Sequence, residues 1–221
     1  LRPQSGAEHR SCRTEPDVGT IRDCVLSLLE DTSPPQIIHM GLELVRIICA
    51  GARLDKEDIS DILLIARVIT AMFIHPEKSI RGASVTTLRM LLLEVEDNEC
   101  QRTLVSRLLF CNDLLPAARA MLMYPCLKSI VDTHWQTAVD GGAPAGLVTQ
   151  LSQLIEATCS TIDTENGLDI VIAALNLYRY VLLREKALGR SVTGVLERDS
   201  LLRAHTKWLP RLRQALARLH D

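Results

Sequence analysis

From about Val18 to the end of the chain, apolar residues recur every third or fourth position, broken only by short Pro-, Gly- or acid-rich stretches. That period is the strongest constraint in the sequence. It dictates helices, each with one apolar stripe that a neighbouring helix must cover. Ile21, Val25, Leu28 and Leu29 share one face of a first helix that ends near Glu30. Ser33-Pro34-Pro35 restarts the chain. Serine caps a helix N-terminus, and proline suits a first turn because its missing N–H has no partner there anyway. The second helix carries Ile37, Ile38, Gly41, Leu44, Val45, Ile48 and Cys49, with Gly51 as its stop. A third is expected from about Glu57 to Phe73, a fourth from about Glu77 to Val95 and a fifth from about Glu99 to Cys111. A sixth runs from about Pro116 to Val139, with Pro125 expected to kink it or break it in two. Asp140-Gly141-Gly142-Ala143-Pro144 is the clearest loop. After it, helices are expected at about Gly146–Cys159, Gly167–Leu188 and Ser200–His220. Sustained period-2 alternation is missing. The spacing therefore predicts an all-α chain of about 8–10 helices over residues 18–221. Residues 1–17 form a polar, irregular lead-in.

Two stretches are alike at an offset of 42 residues: Pro34 aligns with Pro76, Ile38 with Ile80, Gly41 with Ala83, and Ile48 with Met90. In each, proline opens a helix, a β-branched residue follows four later, and a small residue comes three after that. The small residue allows a neighbouring helix to approach closely. A period near 40 residues with two helices per unit is the signature of HEAT and armadillo repeats. The pattern predicts a helical repeat stack, an α-solenoid, whose extended surface suits a protein partner better than a small-molecule substrate. Two unrelated amphipathic helices that both begin with proline would align similarly by chance.

Composition agrees. Apolar residues make up 47% of the 221-residue chain but aromatics only 3%, so aliphatic side chains must fill the core. The net charge of −2 gives no basic field for nucleic acid. No apolar run reaches the roughly 18 residues a membrane span needs; Ile62–Ile74 is interrupted by Arg67 and Thr70. The seven cysteines (Cys12, Cys24, Cys49, Cys100, Cys111, Cys126 and Cys159) are scattered, with no C-x-x-C pair. They read as small buried hydrophobes of a reducing compartment, the cytoplasm or nucleus, with a disulfide framework or zinc site as the alternative. The chain opens on Leu1 rather than Met and is expected to be part of a longer protein.

Motifs of chemistry are missing. There is no phosphate loop, no G-x-G-x-x-G, no H-E-x-x-H and no G-x-S-x-G elbow. Gly189-Arg190-Ser191-Val192-Thr193-Gly194 has the wrong spacing for that elbow and reads as a loop. His75 beside Pro76 reads as structural, and Glu94, Glu96 and Asp97 read as a solvated turn. We therefore expect no enzyme, no catalytic residues, no metal and no cofactor. The strongest binding signal is Tyr178-Arg179-Tyr180 with Arg184 and Lys186 beyond it, because Tyr and Arg dominate interface hot spots. Cations complementing a helix C-terminus, with half-buried tyrosines, would give the same pattern. Arg203, Lys207, Arg211, Arg213 and Arg218 read as a solvated basic face.

Four segments carry a family resemblance. Met40-Gly41-Leu42-Glu43-Leu44-Val45 is similar to the K-G-L-E-L-L helix of the glomulin family, and Ile80–Leu92 is similar to its next repeat. Cys126-Leu127-Lys128-Ser129-Ile130 resembles its N-I-K-N-Q. Most specific is Ala173-Ala174-Leu175-Asn176-Leu177-Tyr178-Arg179-Tyr180-Val181-Leu182, which resembles A-S-L-N-L-L-R-Y-L-V. In order and spacing, about Val25 to Leu216 resembles that family's C-terminal half; residues 1–20 match nothing in it. The resemblance implies a HEAT-like protein that binds the RING subunit of cullin-RING ubiquitin ligases. It would inhibit ubiquitin transfer by masking the surface that recruits the ubiquitin-conjugating enzyme, without catalysis. Lys128 matches a position associated with the RING contact, and Asn176 and Arg179 lie in the most similar stretch, where similarity also serves packing. Arg184 stands where the family has Lys. Pro125, just ahead of Lys128, departs from the family's pattern. The competing expectation is a HEAT-type structural adaptor without inhibitory activity.

Overall fold

The computed structural model describes residues 18–30, 33–51, 58–95, 97–134, 146–159, 162, 165–189 and 192–218. The lead-in 1–17, Cys12 and the loop 140–144 lie outside them. Among the described residues there are helices and turns and no strand. The helices are α1 (Val18–Leu28), α2 (Pro35–Gly51), α3 (Ile59–Ala71), α4 (Lys78–Glu94), α5 (Asn98–Leu109), α6 (Pro116–Met121), α7 (Lys128–His134), α8 (Leu147–Thr158), α9 (Glu165–Leu188), α10 (Arg198–Arg203) and α11 (Leu209–Arg218). A 3₁₀ turn at Met72–Ile74 extends α3.

The breaks behave as their chemistry requires. Pro34 O accepts the first amides of α2, from Ile37 at 2.9 Å and Ile38 at 3.2 Å. Asp97 caps α5 by accepting from Glu99 N at 2.7 Å and Cys100 N at 3.0 Å. His75 is structural: its Nδ1 accepts from Glu77 N at 3.0 Å and braces the turn into α4. Gly189 and Gly194 take φ of +64° and +79°, a backbone only glycine adopts without strain.

Pro125 neither breaks nor ends its helix. It sits in a π-helical turn, Leu122–Leu127, that joins α6 to α7 in one rod from Pro116 to His134. Proline lacks the amide for an ordinary helical bond, and its ring clashes with the carbonyl four residues back. Widening the turn relieves both problems. Leu122, Met123, Cys126 and Leu127 are all buried and hold the wide turn in place. A second π turn, Ala204–Trp208, joins α10 to α11 two residues before Pro210. With these joins, nine helical rods run through the described residues.

The rods pack as pairs and in two series. α1 packs on α2, α3 on α4, and α8 on α9. Along one series α1 touches α3, α3 touches α5, α5 touches α8, and α8 touches the α10–α11 rod. Along the other, α2 touches α4, α4 touches the Leu122–Leu127 turn and α7, and the α6–α7 rod touches α9. Polar links join successive members: Arg22 to Asp61 at 2.6 Å, His39 to Ser79 at 3.1 Å, and Cys126 Sγ to Val85 O at 3.6 Å. A continuous aliphatic core runs between the series, from Val25 and Ile38 through Ile69, Ile80, Leu104 and Leu122 to Leu151 and Leu177. Ile38 and Ile80, equivalent across the 42-residue offset, are both fully buried. Three of the aromatics sit inside: Phe73 is fully buried, and Tyr178 meets Trp208 edge-on with centroids 5.5 Å apart. No helix among the described residues is long and apolar enough to cross a membrane.

Gly41 shows why a small residue is needed at its position. A Cβ there would lie 2.9 Å from Leu28 Cβ and 2.9 Å from Leu29 Cδ2, so α1 approaches α2 over bare backbone. Gly82, in the interior of α4, has nothing within 4 Å of its absent Cβ. The two glycines therefore predict opposite signs. Gly82→Ala should stabilise by about 0.5–1 kcal/mol through helix propensity. Gly41→Ala should destabilise by about 1–3 kcal/mol, because overpacking outweighs that same propensity gain. Urea midpoints of the two variants check this.

Candidate functional site

α9 is two-faced. Ile170, Val171, Ala174, Leu177, Tyr178, Val181 and Glu185 are buried, and Ile172, Asn176, Arg179 and Leu183 lie at helical spacing on the outward face. Glu185 is a buried carboxylate with full partners. It accepts from Val192 N at 2.8 Å, Thr193 Oγ1 at 2.7 Å and Thr193 N, and so pins the loop after α9. Opposite this face runs the α6–α7 rod. Its π turn buries Leu122, Met123, Cys126 and Leu127 and leaves Tyr124 outward, 55% exposed. Between the two rods lies an open groove lined by Tyr124, Asn176, Arg179, Tyr180 and Leu183.

At the inner end of the groove, Asp132 organises a charged cluster. Lys128 Nζ donates to Asp132 Oδ2 at 2.9 Å. The Tyr180 hydroxyl and an Arg184 guanidinium nitrogen both donate to Asp132 Oδ1. That guanidinium nitrogen also donates to the Tyr180 hydroxyl at 2.6 Å. The Lys128 ammonium stands over the Tyr180 ring, 4.5 Å from its centroid, and the Arg184 guanidinium carbon lies 5.9 Å from it. Burial, reinforced by the nearby Tyr124 hydroxyl, holds the Tyr180 phenol above its ordinary range.

All four residues singled out from the sequence thus face one surface, in two different states. Lys128 and Arg184 are half-buried and share one carboxylate. Asn176 and Arg179 are exposed at the groove, and no ion pair engages Arg179 among the described residues. Tyr178 does not join them: it is buried against Trp208, whereas Tyr180 lines the groove. Asp132 and Tyr124 escaped notice in the sequence. The spacings Lys128–Asp132 and Tyr180–Arg184 are both i,i+4, the local signal for side chains that meet on one helix face. The C-terminal cations Arg203, Lys207, Arg211, Arg213 and Arg218 are exposed, and Arg211 meets Glu156 at 3.2 Å.

The groove suits recognition. Arg179 offers a fork of donors matched to a carboxylate, Asn176 offers both a donor and an acceptor, and Tyr124 and Leu183 offer apolar flanks. No group of three or more His, Cys, Asp or Glu is placed to hold a metal ion among the described residues. Four cysteines (Cys49, Cys100, Cys126 and Cys159) are buried, Cys111 is half-buried and Cys24 is exposed. No family model, no curated protein and no solved structure matches the chain.

Two predictions follow from these environments. Asp132→Ala should cost about 1 kcal/mol in a urea titration, a modest value because the three charged side chains are each about a third exposed and solvent-screened. Burial pushes the Cys49 and Cys126 thiols up to about 12. Only a thiolate attacks an aromatic disulfide reagent, so both should stay unlabelled at pH 8 until the chain unfolds, while Cys24 reacts. Unfolded cysteine titrates near 9.0, so these two burials favour folding below that pH, and the contribution fades as pH rises toward 12.

Proposed function

We propose that this chain is a HEAT-like helical-repeat scaffold that binds another protein across the surface between the α6–α7 rod and α9, and that it catalyses no reaction. The observation that carries this reading is the groove itself, where Arg179, Asn176, Tyr124 and Leu183 are exposed together, with no ion pair on Arg179 among the described residues. The two contact series support the repeat architecture, as do the polar links between successive rods at separations of 39, 40 and 41 residues. Those separations match the period read from the sequence.

In this reading the partner is the RING subunit of a cullin-RING ubiquitin ligase, as the resemblance to the glomulin family implies. Binding would cover the face that recruits the ubiquitin-conjugating enzyme, so inhibition needs occlusion only. An interface of on the order of 1,600 Å² in total would extend beyond the groove onto neighbouring rods, with a few buried anchors dominating its energy. The alternative, a structural adaptor without inhibitory activity, draws on one observation: Lys128 and Arg184 already share Asp132, so half of the expected contact set has an internal role.

A reconstituted ubiquitin-transfer assay separates the two. Excess full-length chain should suppress transfer by a purified cullin-RING ligase, and Lys128→Glu combined with Arg179→Glu should restore it with helicity unchanged by circular dichroism. Arg179→Glu alone should carry most of that effect, because Arg179 is exposed whereas Lys128 is half-buried in the Asp132 cluster. Full ligase activity under saturating binding would leave the adaptor.

A further inference from the structure

We infer that the groove between Tyr124 and α9 accepts an acidic protein segment, with a carboxylate on Arg179 and Asn176 and an adjoining apolar side chain seated between Tyr124 and Leu183. This rests on the reading of that surface as a binding face and adds the chemistry of its occupant.

Charge decides the sign. Arg179 lines the groove, Lys128 and Arg184 flank its Tyr180, and Lys186 follows Leu183 by three residues on α9, while the carboxylates in these rods are Asp132, beside Tyr180, and the buried Glu185. Both carboxylates have internal duties: Asp132 holds Lys128, Tyr180 and Arg184, and Glu185 is buried on the amides of Val192 and Thr193. What these groups show a partner is therefore net positive, with Arg179 exposed at the groove itself. Asp169, an exposed acid on α9, lies 10 residues before Arg179 and away from this end. Apolar area supplies the second half of the argument. Tyr124 and Leu183 are 55% and 51% exposed on opposite walls, so a side chain placed between them loses water on two sides.

Other occupants fit less well. A nucleic acid strand needs a row of available cations to displace its counterions, and here two of the four are bound to Asp132. A second copy of this chain, joined face to face by a two-fold axis, would set Arg179 near its own symmetry mate. An acidic segment avoids both costs, and a buried carboxylate on a guanidinium is the stronger kind of hydrogen bond.

The test uses the full chain and a fluorescein-labelled synthetic peptide in which glutamates flank a single leucine, with a lysine-for-glutamate counterpart and a single-stranded DNA oligonucleotide as controls. The acidic peptide should give saturable anisotropy and the basic peptide none. Affinity should fall about tenfold or more in Arg179→Glu and in Leu183→Asp, and by less in Arg179→Lys, which keeps the charge and loses the fork of donors. Thermal unfolding guards against misfolding, and both positions are exposed. Absence of saturable binding by the acidic peptide, equal binding by the basic one, tighter binding of the oligonucleotide, or no response to Arg179→Glu would each overturn the inference. The same variants titrated with the RING subunit keep the two ideas apart. If the acidic peptide binds through Arg179 and the RING subunit does not bind, the inference stands and the RING reading falls. If the RING subunit binds and Arg179→Glu changes nothing, the RING reading stands and the inference falls.

Discussion

An isolated helix with a stripe of leucine, isoleucine and valine has nowhere to hide it, and nearly every rod in this chain is such a helix. With aromatics at only 3%, no single large side chain can cover much of that surface. Burial must come from aliphatic side chains interlocking across neighbours. That requirement explains the pairing of α1 with α2, α3 with α4 and α8 with α9, and the contacts that continue along each series. It also explains Gly41. Close approach is how aliphatic stripes reach interior packing density, and at the α1–α2 contact the helix backbone itself becomes part of the packed surface.

The fold was legible where the chain's own period determined it. Pro34, Ile38 and Gly41 each occupy the role their spacing assigns: start of helix, buried stripe, close contact. Pro125 was only half legible. A proline inside an apolar period announces a disturbance, but whether the helix kinks, breaks or widens depends on what packs against it. Here four buried neighbours hold the turn wide and keep the rod continuous. The cluster at Asp132 was not legible as a whole. Each half shows in the i,i+4 spacing of Lys128 with Asp132 and of Tyr180 with Arg184. The decision to face those halves toward one another is made by packing between rods 48–52 residues apart in sequence, which local spacing does not encode.

That cluster changes the meaning of the basic residues around it. Read in sequence, Lys128, Arg179 and Arg184 are three equal cations. In three dimensions Asp132 draws two of them inward and leaves one. A half-buried cation left unpaired is costly, so the shared carboxylate first serves folding, by tying α9 to the α6–α7 rod. For the proposed recognition the consequence is selectivity by position. A partner that approaches this face meets Arg179 before either of the others, and its contact with Lys128 or Arg184 requires competing with Asp132. Tyr180, between the two cations, keeps them over an aromatic face and limits how far they can turn outward.

In the proposed reading, stability and binding are carried by different residues, and the contacts between successive rods keep them apart. Gly41 acts at the α1–α2 contact, which meets α9 only through several intervening rods, so its effect on packing should decay before it reaches the groove. Arg179 and Leu183 are exposed, so changing them should leave folding within a few tenths of a kcal/mol. Asp132 is the exception, because it belongs to both sets. Removing it loosens two rods and takes a negative charge from beside Lys128 and Arg184, and the resulting changes in stability and in affinity for an acidic partner should run in opposite directions.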